Sequence, residues 1–173
     1  MQRAFATLAV FVSWSVLAFG QSALTPEDIL ERIAKNGAHV TVAQIYGNPV
    51  QWRAVLTGIA TGSKSWLNAA IGLRSGSDAG ASSQIDLAVG EALEHHPQRV
   101  LAVAVPAVGY KNVCGAPDVD DARYNSYSLS LAAIDRRKSM LRSVTGSGVD
   151  SAHECIRNLN EAVAGIARFY GVH

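Results

Sequence analysis

The sequence predicts an all-α domain: short antiparallel helices stacked onto a long C-terminal helical hairpin. Three observations carry this expectation. Cap-then-proline starts occur at Thr25-Pro26 and Asn48-Pro49, and proline fits the first helical turn, where its missing N–H has no partner to lose. Ile85, Ala88, Val89, Ala92 and Leu93 form a full helical stripe. Val149, Ala152, Ile156, Leu159, Val163, Ile166 and Tyr170 follow alternating spacings of three and four, the cleanest amphipathic pattern in the chain.

The opening stretch reads as a secretory signal over residues 1–20, leaving 21–173 as a single domain. Arg3 is the only charge before Glu27, Ala4 to Phe19 is almost wholly apolar, and Ala18-Phe19-Gly20 offers small residues for cleavage. The rival is a retained anchor. Against it, the run is shorter than the roughly 20 residues a span needs and contains Ser13 and Ser15. With no cysteine near the cleavage site, a lipoprotein is disfavoured.

The 173 residues carry 15 basic and 14 acidic side chains, and loss of Arg3 with the leader balances them. A neutral chain argues against nucleic acid or an anionic membrane as partner, because both select a positive field. The two cysteines, Cys114 and Cys155, are expected to pair in an exported protein. Such a bridge contributes roughly 4 kcal/mol through loop closure. The alternative is a free buried thiol on each helix.

Thr25 is the N-cap of the first helix, Pro26 fits its first turn, and Asp28 sits three residues past the cap. Ile29, Leu30, Ile33 and Ala34 form its apolar face, and Gly37 ends it. His39 to Tyr46 favours a strand by propensity. A short helix is expected instead, because one strand among helices has no pairing partner. Asn48-Pro49 opens a helix facing inward through Trp52, Val55, Leu56 and Ile59. Gly62-Ser63 breaks it, and Ser63 caps another helix carrying Trp66, Leu67, Ala70, Ile71 and Leu73.

These two segments echo each other. Trp52 precedes Gly58-Ile59 as Trp66 precedes Gly72-Leu73. A glycine inside a helix costs up to about 1 kcal/mol, so its expected use is the close approach of a neighbour. With Asn48-Pro49-Val50-Gln51-Trp52-Arg53-Ala54-Val55-Leu56 and Gly62-Ser63-Lys64-Ser65-Trp66-Leu67, the chain resembles HEAT-type helical repeat proteins over residues 25 to 105. The resemblance implies stacked helices and a protein-binding habit. It implies no chemistry and brings no functional residues.

Arg74 to Ala81 reads as a Gly/Ser loop, with Ser83 and Asp86 as a capping-box-like start. His95-His96 ends that helix, and Pro97 opens a short one through Val103; Val100 to Val105 as a buried strand is the alternative. Val105 to Asp121 reads as a long irregular connection, a length that favours function or disorder, with Cys114 arguing for order. Tyr124 to Val144 is the first long helix, and Thr145-Gly146-Ser147-Gly148 is the turn before the second.

Asp118, Asp120 and Asp121 form an acidic knot. They are read first as N-terminal caps of the long helix, where carboxylates meet the positive end of the dipole. A calcium site, another binding surface or an acid/base pair is the functional alternative, since crowded carboxylates share a cation or raise one another's pKa. The spacing is not that of an EF-hand loop. Arg123, Tyr124 and Tyr127 follow at once, residue types enriched at binding hot spots. Against that, Tyr127 fits the apolar stripe of the helix and Arg123 suits an exposed pair with the knot. His95 and His96 are adjacent, so they point in different directions, and no metal-ligand spacing is present. Arg136, Arg137, Lys138 and Arg142 read as solvated surface near a helix C-terminus. No nucleophile elbow and no phosphate-cradling glycine loop occurs.

The expectation is therefore an exported, periplasmic or secreted, helical binding protein with no cofactor and no bound metal. Its partner would be another envelope or secreted protein, with the chain acting as an adaptor, inhibitor or immunity factor. The contact surface would be Pro117 to Tyr127. The alternatives are an envelope hydrolase using the 118–121 carboxylates, helped by His95 or His96, and a structural envelope subunit.

Overall fold

The computed structural model describes residues 24–172; the expected leader, residues 1–20, lies outside them. The described residues form ten α-helices and no strand. They are α1 (Pro26–Asn36), α2 (Ala38–Tyr46), α3 (Pro49–Ala60), α4 (Lys64–Arg74), α5 (Ala79–Ala92), α6 (Pro97–Val103), α7 (Val105–Val108), α8 (Tyr110–Val113), α9 (Tyr127–Arg142) and α10 (Val149–Phe169). Among these, no helix is long and apolar enough to cross a membrane.

Local chemistry sets most of the starts. Thr25 Oγ1 accepts from the Asp28 amide while the Asp28 carboxylate accepts from the Thr25 amide, the reciprocal capping box. Asn48 Oδ1 accepts from the Val50 and Gln51 amides, and Ser63 Oγ from the Trp66 amide. Gly37, at φ 81°, lets the chain turn from α1 into α2. In α2 the strand-favouring side chains Val42 and Ile45 are buried on one helical face. Tertiary packing outweighs their β preference.

Helices α3 and α4 close tightly on each other beside the turn that joins them. A Cβ on Gly58 would collide with the Trp66 ring. Gly72 gives the same access to α1, since a Cβ there would lie 2.9 Å from Ile33 Cδ1. Both helical glycines thus serve close approach, to different neighbours. Helix α5 then lies parallel to α3. Near their starts Trp52 Nε1 donates to Gln84 Oε1 at 2.6 Å, and beyond the end of α3, Gly62 sits against Ala92 and His96.

Several boundaries differ from the sequence reading. Helix α5 starts at Ala79, capped by Asp78 through the Ala81 amide, so the expected 74–81 loop shrinks to a few residues and Ser83 lies inside the helix. Asp86 is no cap: it is buried and accepts from Arg74 Nε and Nη2. The 105–121 connection contains α7 and α8, separated by Gly109 at φ 91°, so the irregular stretch is 114–126. Helix α9 begins at Tyr127 rather than Tyr124, because Ser126 Oγ captures the Leu129 amide.

The C-terminal hairpin forms as expected, α9 turning through Gly146–Gly148 into α10. Leu159 and Ile166 of α10 are buried in the shared core. Cys114, at the end of α8, and Cys155, on α10, form a disulfide, and both residues are fully buried. The basic run of α9 is not uniformly solvated. Arg137 is only 2% exposed, its Nε 3.4 Å from Glu94 Oε1 and its Nη1 donating to the Gly115 carbonyl. Arg136 stays at the surface and pairs with the same Glu94 at 2.8 Å. A carboxylate partner just past the end of α5 is what lets one arginine of the run turn inward.

Candidate functional site

Where α3 and α5 lie side by side they leave a groove of about 650 Å³, walled by the loop that follows the disulfide. Leu56 and Ala60 of α3, with Leu87 and Ala88 of α5, give it an apolar floor. Arg53 and Gln84 stand at one end, His95 near the other, and Asp118, Asp121 and Arg123 along the loop wall.

The wall is fixed at three points. Cys114 holds its start to α10, and Arg137 grips the Gly115 carbonyl just after it. At its far end Tyr124 is buried, and its carbonyl accepts from Ser130 Oγ at 2.7 Å and Tyr170 Oη at 3.1 Å. Between these, Arg123 ties the loop to α5. Its Nη1 and Nη2 donate to the two oxygens of Glu91 at 2.9 Å each, a bidentate pair. Its Nε and Nη2 donate to Asp121 at 3.0 and 2.7 Å. Its guanidinium also lies over the Tyr124 ring, 5.0 Å from the centroid.

The electrostatics follow from these contacts. Hydrogen bonds from the Arg123 side chain hold the Asp121 carboxyl below the ordinary range, so it stays ionised. The same bonds, to Asp121 and then to Glu91, push the Arg123 guanidinium up. Burial raises the Tyr124 phenol above its usual value.

The six residues singled out in the sequence therefore divide. Asp118, Asp121 and Arg123 line the groove. Asp120 is exposed and meets the knot only through its backbone amide, which donates to Asp118 Oδ1 at 3.1 Å. Tyr124 is an anchor inside the core, and Tyr127 is half-buried with its ring edge-on to Tyr170. The capping role expected of the acidic knot is overturned. Ser126 caps α9, while Asp118 and Asp121 turn back on the loop's own amides. His95 borders the groove, and with His96 it also borders a second hollow of about 490 Å³ next to Arg99 and Met140.

Sequence reasoning missed Glu91, Arg53 and Gln84. Glu91 carried little signal: Glu94 and His95 follow it at three and four residues, the spacing of an ordinary polar helix face. Arg53 and Gln84 carried none, since an isolated polar residue on a helix is ordinarily solvated. Among the described residues no cluster of three or more His, Cys, Asp or Glu could hold a metal ion. Comparison with family models, curated proteins and solved structures returns no match to this chain.

Proposed function

We propose that the protein is an exported helical binding protein, periplasmic or secreted, that docks another envelope or secreted protein in the α3–α5 groove. Inhibition or immunity is the role such a docking serves best. The observation that carries this reading is the wall itself. A polar loop is clamped by a disulfide, by a buried tyrosine and by Arg123 against an apolar floor. That combination of rigid polar rim and apolar centre is how a preorganised recognition surface lowers the ordering cost of binding. Export is supported by the apolar opening stretch and by a cysteine pair that suits an oxidising compartment. The parallel setting of α3 and α5 around α4 supports the HEAT-type reading of this part of the chain.

The test is retention of a partner. Protein obtained by expressing the full chain is immobilised and exposed to envelope extract and culture supernatant. A specific partner is expected on the wild type and is expected to be lost from Ala60→Trp, which fills the groove. Equal retention by both proteins, or by neither, would remove the groove from the function.

One observation favours a second reading, an envelope hydrolase. The groove brings Asp118, Asp121 and His95 to one concavity. Because Arg123 keeps Asp121 ionised, Asp121 would not serve as the general acid there. Turnover of cell-wall material that vanishes in Asp118→Asn would establish it.

A further inference from the structure

Resting on the docking reading above, we infer that the groove takes an extended peptide segment of its partner, about four residues long. The segment sets an apolar side chain on the α3–α5 floor and a lysine or arginine against Asp118.

The length comes from the helices. Residues 53 to 61 of α3 and its C-cap advance about 12 Å at 1.5 Å per residue. An extended chain covers that distance in about four residues at 3.3 Å each. The floor is made of Leu56, Ala60, Leu87 and Ala88, so a segment lying there gains most by placing an aliphatic side chain downward.

The charge comes from the wall. Three carboxylates, Glu91, Asp118 and Asp121, meet a single guanidinium there. Arg123 spends its bonds on Glu91 and Asp121, which leaves that pair of acids with one uncompensated negative charge. Asp118 adds another. Among the described residues its carboxylate accepts one hydrogen bond, from the Asp120 amide to Oδ1, and no cation pairs with it. At the other end Arg53, level with Gln84, has no acidic partner among the described residues. Glu91 lies two turns further along α5, about 10 Å away. The groove is thus polar along its length, negative beside the loop and positive at Arg53. A lysine or arginine suits the negative end doubly: its head meets Asp118 while its methylene stem stays on the apolar floor. The same field repels an acidic segment from the loop end.

The experiment uses dye-labelled six-residue peptides and fluorescence polarisation against protein from the full chain. One peptide carries two leucines followed by two lysines; in its counterpart glutamates replace the lysines. The lysine peptide should bind at least about 5-fold tighter, as expected for a partly desolvated ion pair. Asp118→Asn, whose amide oxygen can still accept the Asp120 N–H, should remove most of that preference, and Arg53→Gln should not. Both variants must keep the wild-type melting temperature and circular dichroism; if Asp118→Asn does not, Asp118→Ser replaces it. A preference for the glutamate peptide, or a lysine preference that survives loss of the Asp118 charge, overturns the inference. So does spermine binding as tightly as the lysine peptide, which would give the groove to polyamines. If no peptide binds while a partner is still lost from Ala60→Trp, the peptide class is wrong and the docking reading stands. If both experiments fail, both are wrong.

Discussion

Replacing Cys114 and Cys155 together by alanine releases the wall of the groove at its root. The bridge joins positions 41 apart. For a loop of that length the chain-entropy relation gives about 13 cal/mol/K, or about 4 kcal/mol at 25 °C. Both cysteines are fully buried, so alanine also leaves a small apolar void, which adds roughly 1 kcal/mol. In a chain of this size 1 kcal/mol moves the melting temperature by about 2–4 °C, so the midpoint should fall by about 10–20 °C. The helical signal at low temperature should persist, since no helix relies on the bridge for its own hydrogen bonds. Urea unfolding is the decisive assay. The midpoint should drop and the m-value should rise, because the unbridged unfolded chain exposes more surface. A stability loss below about 1 kcal/mol with an unchanged m-value would mean that the bridge does not constrain the unfolded chain, and the reasoning would be wrong.

Further outcomes are expected. Gly90→Ala should destabilise by about 1 kcal/mol, because its Cβ would lie 2.9 Å from the Val113 carbonyl oxygen beside the disulfide and outweigh the helix-propensity gain. Gly165→Ala on α10, with open space around its Cβ, should stabilise by about 0.5–1 kcal/mol; denaturant midpoints of the two variants make the comparison. Arg137→Ala should cost about 2–4 kcal/mol by emptying the volume of a fully buried side chain and unpairing the Gly115 carbonyl, and Arg137→Met, which refills that volume, distinctly less, both read from urea titrations. Finally, Asp121 titrates lower in the folded protein than in the unfolded chain, so its contribution is complete above about pH 4 and disappears as the pH falls through the folded value. Tyr124 titrates higher when folded, so stability should also decline as the pH rises beyond about 10. Stability measured against pH should lose part of its acid slope in Asp121→Asn and part of its alkaline slope in Tyr124→Phe.

Much of the helical framework was legible because caps act over three residues. Thr25, Asn48, Ser63 and the proline at 97 mark their helices in the sequence and in the fold alike. The same local logic failed where two caps competed. Asp78 won over Ser83, and Ser126 over the acidic knot, because the side chain nearest the free amides takes them. The candidate site was half legible. Asp118, Asp121 and Arg123 stood out as a charged cluster, but nothing local said that Arg123 would cross to Glu91, 32 positions away.

By itself the sequence determined the all-α class and the long terminal hairpin, since periodicity and capping are properties of short stretches; between a bridge and two free thiols it only favoured the bridge. The tertiary structure alone decided that α3 and α5 lie parallel with a groove between them, and that Arg137 goes inward while Arg136 stays out. It also turned the 114–126 loop into a wall of that groove. These outcomes rest on contacts between distant segments. A helical stripe announces that a face will be buried, yet which neighbour covers it, and which charge meets which, is fixed only when the helices pack.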